Sequence, residues 1–279
     1  MTNTNNPIDI SIIIVNYNTG EMLCDCIKSI LEFIKNNIVE IIIYDNNSID
    51  NSIKIAEDIT IDKSFVTFIK GQENLGFSKA NNLAAKHAHG KWLHFLNPDI
   101  IINSKLDEDY SEILKKNNES IYVTSLIDTD GQLQKTMYLI PTLNNYFTRL
   151  INQNKLGHWS IGASVIIHRS TFKLLNGWAE DYFMYAEDLD LFYNAYTKNI
   201  PVTYLDTRIT HIGKASSNKT WSNQQRSMII ESSYKKIFKK HGIAYQYYII
   251  RTIQLFYILL NEPKEFILAS KTFLKTIVK

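Results

Sequence analysis

Short apolar runs alternate with helix-spaced segments through the first third of the chain, and a polar cluster closes each run. Ile10-Ser-Ile-Ile-Ile-Val15 is β-branched and suits a strand buried on both faces. Asn16-Tyr-Asn-Thr-Gly20 reads as a turn, with Thr19 placed to cap a following helix and Glu21 in its first turn. Leu23, Ile27, Ile30, Leu31 and Ile34 then recur at helical spacing. The pattern repeats: a strand over Val39–Tyr44, a helix near 51–59, a strand over Phe65–Ile69, a helix over Phe77–Ala88 and a strand over Lys91–Leu96. Such alternation predicts an α/β fold with a mostly parallel sheet flanked by helices. Ligands of these sheets bind beyond the carboxyl ends of the strands. The polar clusters after Val15, Tyr44, Ile69 and Leu96 all fall there.

The second half is less regular. Asp130-Gly131 predicts a hairpin turn between Ile121–Ile127 and Leu133–Tyr138. Strands are expected at Ser164–His168 and Val202–Leu205, with a helix over Glu187–Lys198. Charge marks an organisational boundary near His211. The whole chain carries +2 at pH 7. Residues 1–213 hold 18 Lys+Arg against 25 Asp+Glu, and residues 214–279 hold 12 against 3. The balances are therefore −7 and +9. A near-neutral total gives no reason to expect nucleic acid as the partner. Cys24 and Cys26 alone exclude a disulfide scaffold and a four-cysteine zinc site. The polar stretch Met1–Asp9 lacks a signal-peptide pattern, which leads to an expectation of a reducing cytoplasm.

Several residues stand out chemically, each with a plainer alternative. Asp45 ends a strand and reads either as a ligand for a ribose or base, or as a turn cap. Asn97-Pro98-Asp99 ends another. Its carboxylate suits Mg²⁺ or Mn²⁺ shared with a diphosphate, and its composition equally suits a turn. Glu187, Asp188 and Asp190 crowd one helix start. Capping needs fewer carboxylates than three, and mutual repulsion would raise a proton affinity, as a general base requires. His211 reads either as a structural or surface histidine or, since Gly213, Lys214 and two serines follow, as part of a group able to bind phosphate oxygens. It is not a P-loop, since Arg208 stands where the leading glycine belongs.

Taken in order, Ile14-Val-Asn-Tyr-Asn18, Tyr44-Asp-Asn-Asn-Ser48, Asn74-Leu-Gly-Phe77 with Asn81-Asn82, Asn97-Pro-Asp99, Trp159 with Gly162-Ala163, Tyr185-Ala-Glu-Asp-Leu-Asp190 and His211 resemble the family 2 glycosyltransferases of GT-A fold. The rhamnosyltransferase-like branch, which builds bacterial surface polysaccharides, is the best match. The resemblance spans about residues 8–217. It implies inverting transfer of a sugar from a nucleoside diphosphate to a hydroxyl of a glycan or lipid-linked acceptor, with Mn²⁺ or Mg²⁺ as cofactor. A dTDP-rhamnose donor is expected ahead of UDP-sugars. By resemblance, Asn16, Tyr17 and Asp45 lie at the nucleoside, and Asn74, Gly76 and Asn81 lie under the donor. Asp99 matches the metal-binding end of a D-x-D motif, and His211 a position that completes the metal site. Asp188 matches the catalytic base. Asn97 stands at the donor side where the commoner motif has an aspartate, and Lys214 could add positive charge at the diphosphate. Trp159 and Tyr185 read either as stacking on sugars, beside Glu187 on the acceptor side, or as core aromatics. A nucleotidyltransferase, or a degenerate sugar-binding or scaffold subunit, remains the alternative.

The expected organisation is a GT-A catalytic domain over 1–217 and a basic helical extension over 218–279. Within the former, 8–100 binds the nucleotide sugar and 101–217 forms the acceptor side. In the extension, Ile249, Ile250, Ile253, Phe256, Tyr257 and Leu260 recur at helical spacing after Lys235, Lys236, Lys239 and Lys240. Residues 229–279 therefore read as interfacial helices for an anionic membrane, at the cytoplasmic face of the bacterial plasma membrane. Packing on the catalytic domain or a homodimer contact are the alternatives.

Overall fold

The computed structural model describes residues 8–35, 37, 39–116, 120–145, 157–182, 184–213 and 223–277. The first half alternates as its pattern requires: β1 (Ile10–Asn16), α1 (Glu21–Phe33), β2 (Val39–Asp45), α2 (Ser52–Ile59), β3 (Val66–Lys70), α3 (Gly76–Lys86) and β4 (Trp92–Leu96). Then follow β5 (Ile100–Ile101), α4 (Ser104–Lys115), β6 (Ile121–Ile127), β7 (Met137–Leu139), β8 (His158–Ser160), β9 (Ser164–His168), α5 (Arg169–Leu174), α6 (Glu187–Thr197) and β10 (Val202–His211). Three helices close the chain: α7 (Asn223–Lys240), α8 (Ala244–Asn261) and α9 (Pro263–Ile277).

Eight strands form one sheet in the order β3-β2-β1-β4-β9-β6-β10-β5. β1 pairs in parallel with β2 and β4, β2 with β3, and β6 with β10. β9 runs antiparallel between β4 and β6, and β5 antiparallel to β10. Side-chain alternation divides the β1 residues between two cores. Ile10, Ile12 and Ile14 pack with Leu23, Ile27 and Ile30 of α1 on one face. Ile13 packs with Ala80 and Ala84 of α3 on the other. Both cysteines are buried and free, and burial pushes the Cys26 thiol pKa well up, so it stays protonated.

Three local expectations are corrected. Thr19 does not cap α1; its hydroxyl donates to Asn16 Oδ1, and Gly20 at φ 60° turns the chain instead. The Asp130-Gly131 turn forms, but its ladder stops at a single bridge between Ile127 and Leu133. The following strand pairs with His158–Ser160 instead, so Tyr138 lies opposite Trp159. The last sheet strand runs on past Leu205 to His211, through an irregularity between Leu205 and Arg208.

The C-terminal helices are not a separate appendage. Ile237 and Phe238 of α7 share a core with Ile140, Tyr182, Ala186 and Leu189. Asp190, fully buried, accepts hydrogen bonds from Lys240 Nζ at 2.6 Å and from His241 Nε2. A buried carboxylate is costly unless paired, and here two cationic or donor groups pair it. Asp190 therefore does not join the acidic pair at the start of α6; it pins α7.

Gly90 precedes β4 where the chain passes close to β1. A Cβ there would stand 2.6 Å from Ser11 N and 2.7 Å from Ile10 C, both backbone atoms that cannot swing away. Gly90→Ala should lower stability by about 1–3 kcal/mol, read as a depressed midpoint in thermal unfolding.

Candidate active site

The carboxyl ends of β1, β2 and β4 meet the start of α6 and the end of β10 around a cavity of about 360 Å³. Tyr17, Asn74, Gly76, Asn97, Asp99, Tyr185, Glu187, Asp188 and His211 all line it. Sequence positions up to 194 apart thus converge on one edge of the sheet.

Asn16 and Asp45 lie behind this wall. Asn16 Nδ2 donates to Asp45 Oδ1 at 3.1 Å, Ser48 Oγ at 2.9 Å and Ser52 Oγ at 2.8 Å. Asp45 also accepts from Ser48 N at 3.2 Å, the turn-capping role that its setting allowed. Both residues hold the β1 and β2 ends in shape. Asn46, next in the chain, faces the cavity. Its Oδ1 accepts from Leu75 N at 2.8 Å, and its Nδ2 donates to Asn74 Oδ1 at 2.9 Å. It joins the end of β2 to the start of α3. Asn81 donates to Phe77 O at 3.0 Å within α3 and is buried. Trp159 stacks on Tyr138, centroids 5.0 Å apart and planes 26° off parallel, and does not line the cavity. Lys214 lies outside the described residues.

The β5–β10 pairing sets His211 opposite Ile100, beside Asp99. His211 Nε2 stands 3.6 Å from Asp99 Oδ1, too far for a hydrogen bond. Gln134 explains which lone pair faces that gap. Its Nε2 donates to the His211 carbonyl at 2.8 Å, which leaves Oε1 to accept from Nδ1 of the same ring, also at 2.8 Å. Nδ1 therefore carries the proton and Nε2 offers its lone pair towards Asp99. Burial lowers the pKa of His211, against the opposing charge of Asp99, and so favours the neutral ring. An oxygen and an imidazole nitrogen suit Mn²⁺ or Mg²⁺ chemically. Among the described residues no three His, Cys, Asp or Glu side chains converge as a metal cluster. Substrate oxygens and water would complete the shell.

α6 begins after two consecutive left-handed residues, Tyr185 at φ 67° and Ala186 at φ 75°. Non-glycine residues rarely take this conformation, and each costs on the order of 1–3 kcal/mol. The kink aims Glu187 and Asp188 into the cavity. Asp188 accepts from Leu189 N at 2.8 Å and Gly162 N at 3.3 Å. Burial raises its pKa to about 6, opposed by those two N–H groups. Glu187 is raised further, by burial and then by the Asp188 charge, and its Oε2 is buried with no protein partner. Burial and their mutual repulsion thus make the pair hold a proton more readily than an isolated carboxylate would.

Sheet order and a cavity at the carboxyl ends of the strands are those of the GT-A fold. The sequence profile described as glycosyl transferase family 2 matches residues 11–174, and the chain belongs to that family. Glycosyltransferase GlyG of Streptococcus pneumoniae serotype 4 is 25% identical over 171 residues, covering 60% of this chain and 56% of that protein. Rhamnosyltransferase WbbL of Escherichia coli strain K12 is 26% identical over 141 residues, covering 42% of this chain and 52% of that protein. The chain thus spans about half the length of these relatives. Among solved structures, the mannosyltransferase PcManGT from Pyrobaculum calidifontis, in complex with GDP-Man and Mn²⁺, superposes with a TM-score of 0.61. It is 13% identical, with 99% of this chain and 76% of that one covered.

Nothing local singles out Asn46 or Gln134 as a site residue: one sits within a turn-rich tetrad, the other in a segment that reads as one strand of a hairpin. Gln134→Ala should weaken Mn²⁺ binding by about 10–100-fold, measured by calorimetry or electron paramagnetic titration, while Gln134→Glu, which keeps an acceptor for Nδ1–H, should lose less.

Proposed function

We propose that the protein transfers a sugar from a nucleoside diphosphate to a hydroxyl of a glycan or lipid-linked glycan, with inversion and with a divalent ion. The acceptor is read as belonging to bacterial surface-polysaccharide synthesis at the inner face of the plasma membrane. The observation that carries the reading is a single cavity holding both a buried carboxylate, Asp188, and the Asp99–His211 pair. Tyr17, Asn46, Asn74, Gly76 and Asn97 form the wall on which the nucleotide lies. dTDP-rhamnose is the preferred donor, supported by the likeness to a rhamnosyltransferase. The likeness in fold to a protein solved with GDP-Man and Mn²⁺ supports a metal-assisted reaction on this class of donor.

Asp99 and His211 would hold Mn²⁺ or Mg²⁺, which when bound neutralises charge on the departing diphosphate as a Lewis acid. Asp188 accepts the proton of the acceptor hydroxyl. That oxygen forms its bond to the anomeric carbon as the bond from that carbon to the diphosphate oxygen breaks. One displacement from the opposite face inverts the centre and needs no carboxylate nucleophile. Glu187, whose Oε2 has no protein partner among the described residues, faces the same cavity and offers a hydrogen-bonding group to an acceptor hydroxyl. Tyr185 stands at the same rim. Holding both substrates in line supplies much of the rate.

Three outcomes test this. Asp188→Asn should lower kcat by about 10²–10⁴-fold with donor affinity nearly unchanged; comparable turnover would remove Asp188 from the base role. The base acts ionised, so kcat/KM should fall as pH drops through about 6, the raised pKa of Asp188, and level off above it. A thermal-shift screen of dTDP-, UDP- and GDP-sugars with Mn²⁺ should find a stabilising donor. Stabilisation without turnover on any acceptor would favour a sugar-binding subunit instead.

A further inference from the structure

α8 is built the wrong way round for a helix that faces water. Arg251 is its one charged residue, and it points into the protein. Arg251 Nε donates to Glu231 Oε1 of α7 at 2.7 Å, and Tyr247 Oη donates to the same oxygen at 2.6 Å. Tyr247 and Ile250 fill the buried side. On the outer side Tyr245, Ile249, Ile253, Phe256 and Leu260 follow at intervals of three and four, between 43% and 67% exposed. No charged side chain interrupts that stripe. α9 packs beside α8 and exposes Ile267 and Leu274 on one face with Lys264 and Lys271, which follow at helical intervals.

We propose that the outward faces of α8 and α9 dock on an anionic lipid bilayer, with both helices lying in its plane. Three observations select this occupant. The exposed face is uncharged along the whole of α8 and mostly apolar, broken only by residues such as Thr252, as an acyl boundary allows. Exposed Tyr248 and Tyr257 flank it, and tyrosine favours the headgroup level. On the apolar face of α9 the charges are Lys264 and Lys271; Glu262 and Glu265 are exposed nearby, yet residues 214–279 balance at +9, and cations close to the surface are drawn to anionic lipid. A second copy is disfavoured by the same charges, because a two-fold contact would set like lysines against each other. Spanning is excluded for the described helices, none of which is long and apolar enough to cross a membrane. Through α7 the docked face connects to Lys240 and His241, and so to Asp190, two residues beyond Asp188. Membrane contact and the catalytic helix thus belong to one packed unit.

Flotation of the full chain with vesicles tests the proposal independently of any transfer activity. Vesicles of mixed phosphatidylglycerol and phosphatidylcholine should carry the protein, and vesicles of phosphatidylcholine alone should carry roughly tenfold less. The triple variant I253S/F256S/L260S alters only exposed positions, so it should keep its unfolding midpoint and lose vesicle binding by at least about tenfold. K264E/K271E should lose the preference for phosphatidylglycerol while keeping the weaker binding. Wild-type protein that floats with neither vesicle overturns the proposal, as does a folded triple variant that binds as well as wild type. Equal binding to both vesicle types overturns the anionic assignment. A dimer that the triple substitution dissociates, with no vesicle binding, assigns the face to a second copy and overturns it too.

Discussion

β9 runs against its neighbours, and the site depends on that reversal. Because it is antiparallel to β4, its first residue, Ser164, pairs with Leu96, the last residue of β4. The turn before β9 therefore lies at the edge where the parallel strands end. Ala163 O there accepts from Asn97 N at 2.9 Å, and Gly162 N donates to Asp188. Hydrogen bonds from the backbone of two adjacent residues thus join the Asn97–Asp99 turn to the start of α6. Had β9 run parallel, that turn would lie at the opposite edge of the sheet, and Asp188 would lose one of the two donors that hold its charge.

The same economy appears at His211. β10 is long enough to carry it to the cavity only because the strand continues past its irregularity at Leu205–Arg208. The short antiparallel contact with β5 then sets it beside Asp99. A two-residue strand would be trivial for stability. Here it fixes the spacing of a carboxylate and an imidazole that come from distant parts of the chain.

Much of this was legible in the residues. β1 and β2 announced themselves by β-branched runs with polar ends and β4 by an apolar one, and Tyr17, Asn74, Gly76, Asn97 and Asp99, from such strand-end clusters, line one cavity. What could not be read was which polar residue faces the ligand and which supports it. Asn16 and Asn46 are the same amino acid at adjacent strand ends, yet one is buried in a hydrogen-bond knot and the other lines the wall. That difference is decided by strand pairing, which no local pattern contains. Asp190 failed for the same reason. In sequence it is one of three crowded carboxylates, and its partners Lys240 and His241 lie fifty residues downstream. The stripe in α8 was visible, but not its direction: Ile250 turns inward with Arg251, and the remaining apolar residues turn out.

The Asp190 pairing also limits how such a protein can be recombined. A catalytic half and a C-terminal half that meet only through apolar packing can often be exchanged between homologues, since oil-like surfaces tolerate mismatch. A fully buried carboxylate cannot. Any chimaera that inherits Asp190 must also inherit a cation and a ring at the positions of Lys240 and His241, or bury an uncompensated charge close to Asp188. The ends of this fold are therefore tied as a matched lock and key, and must be inherited together.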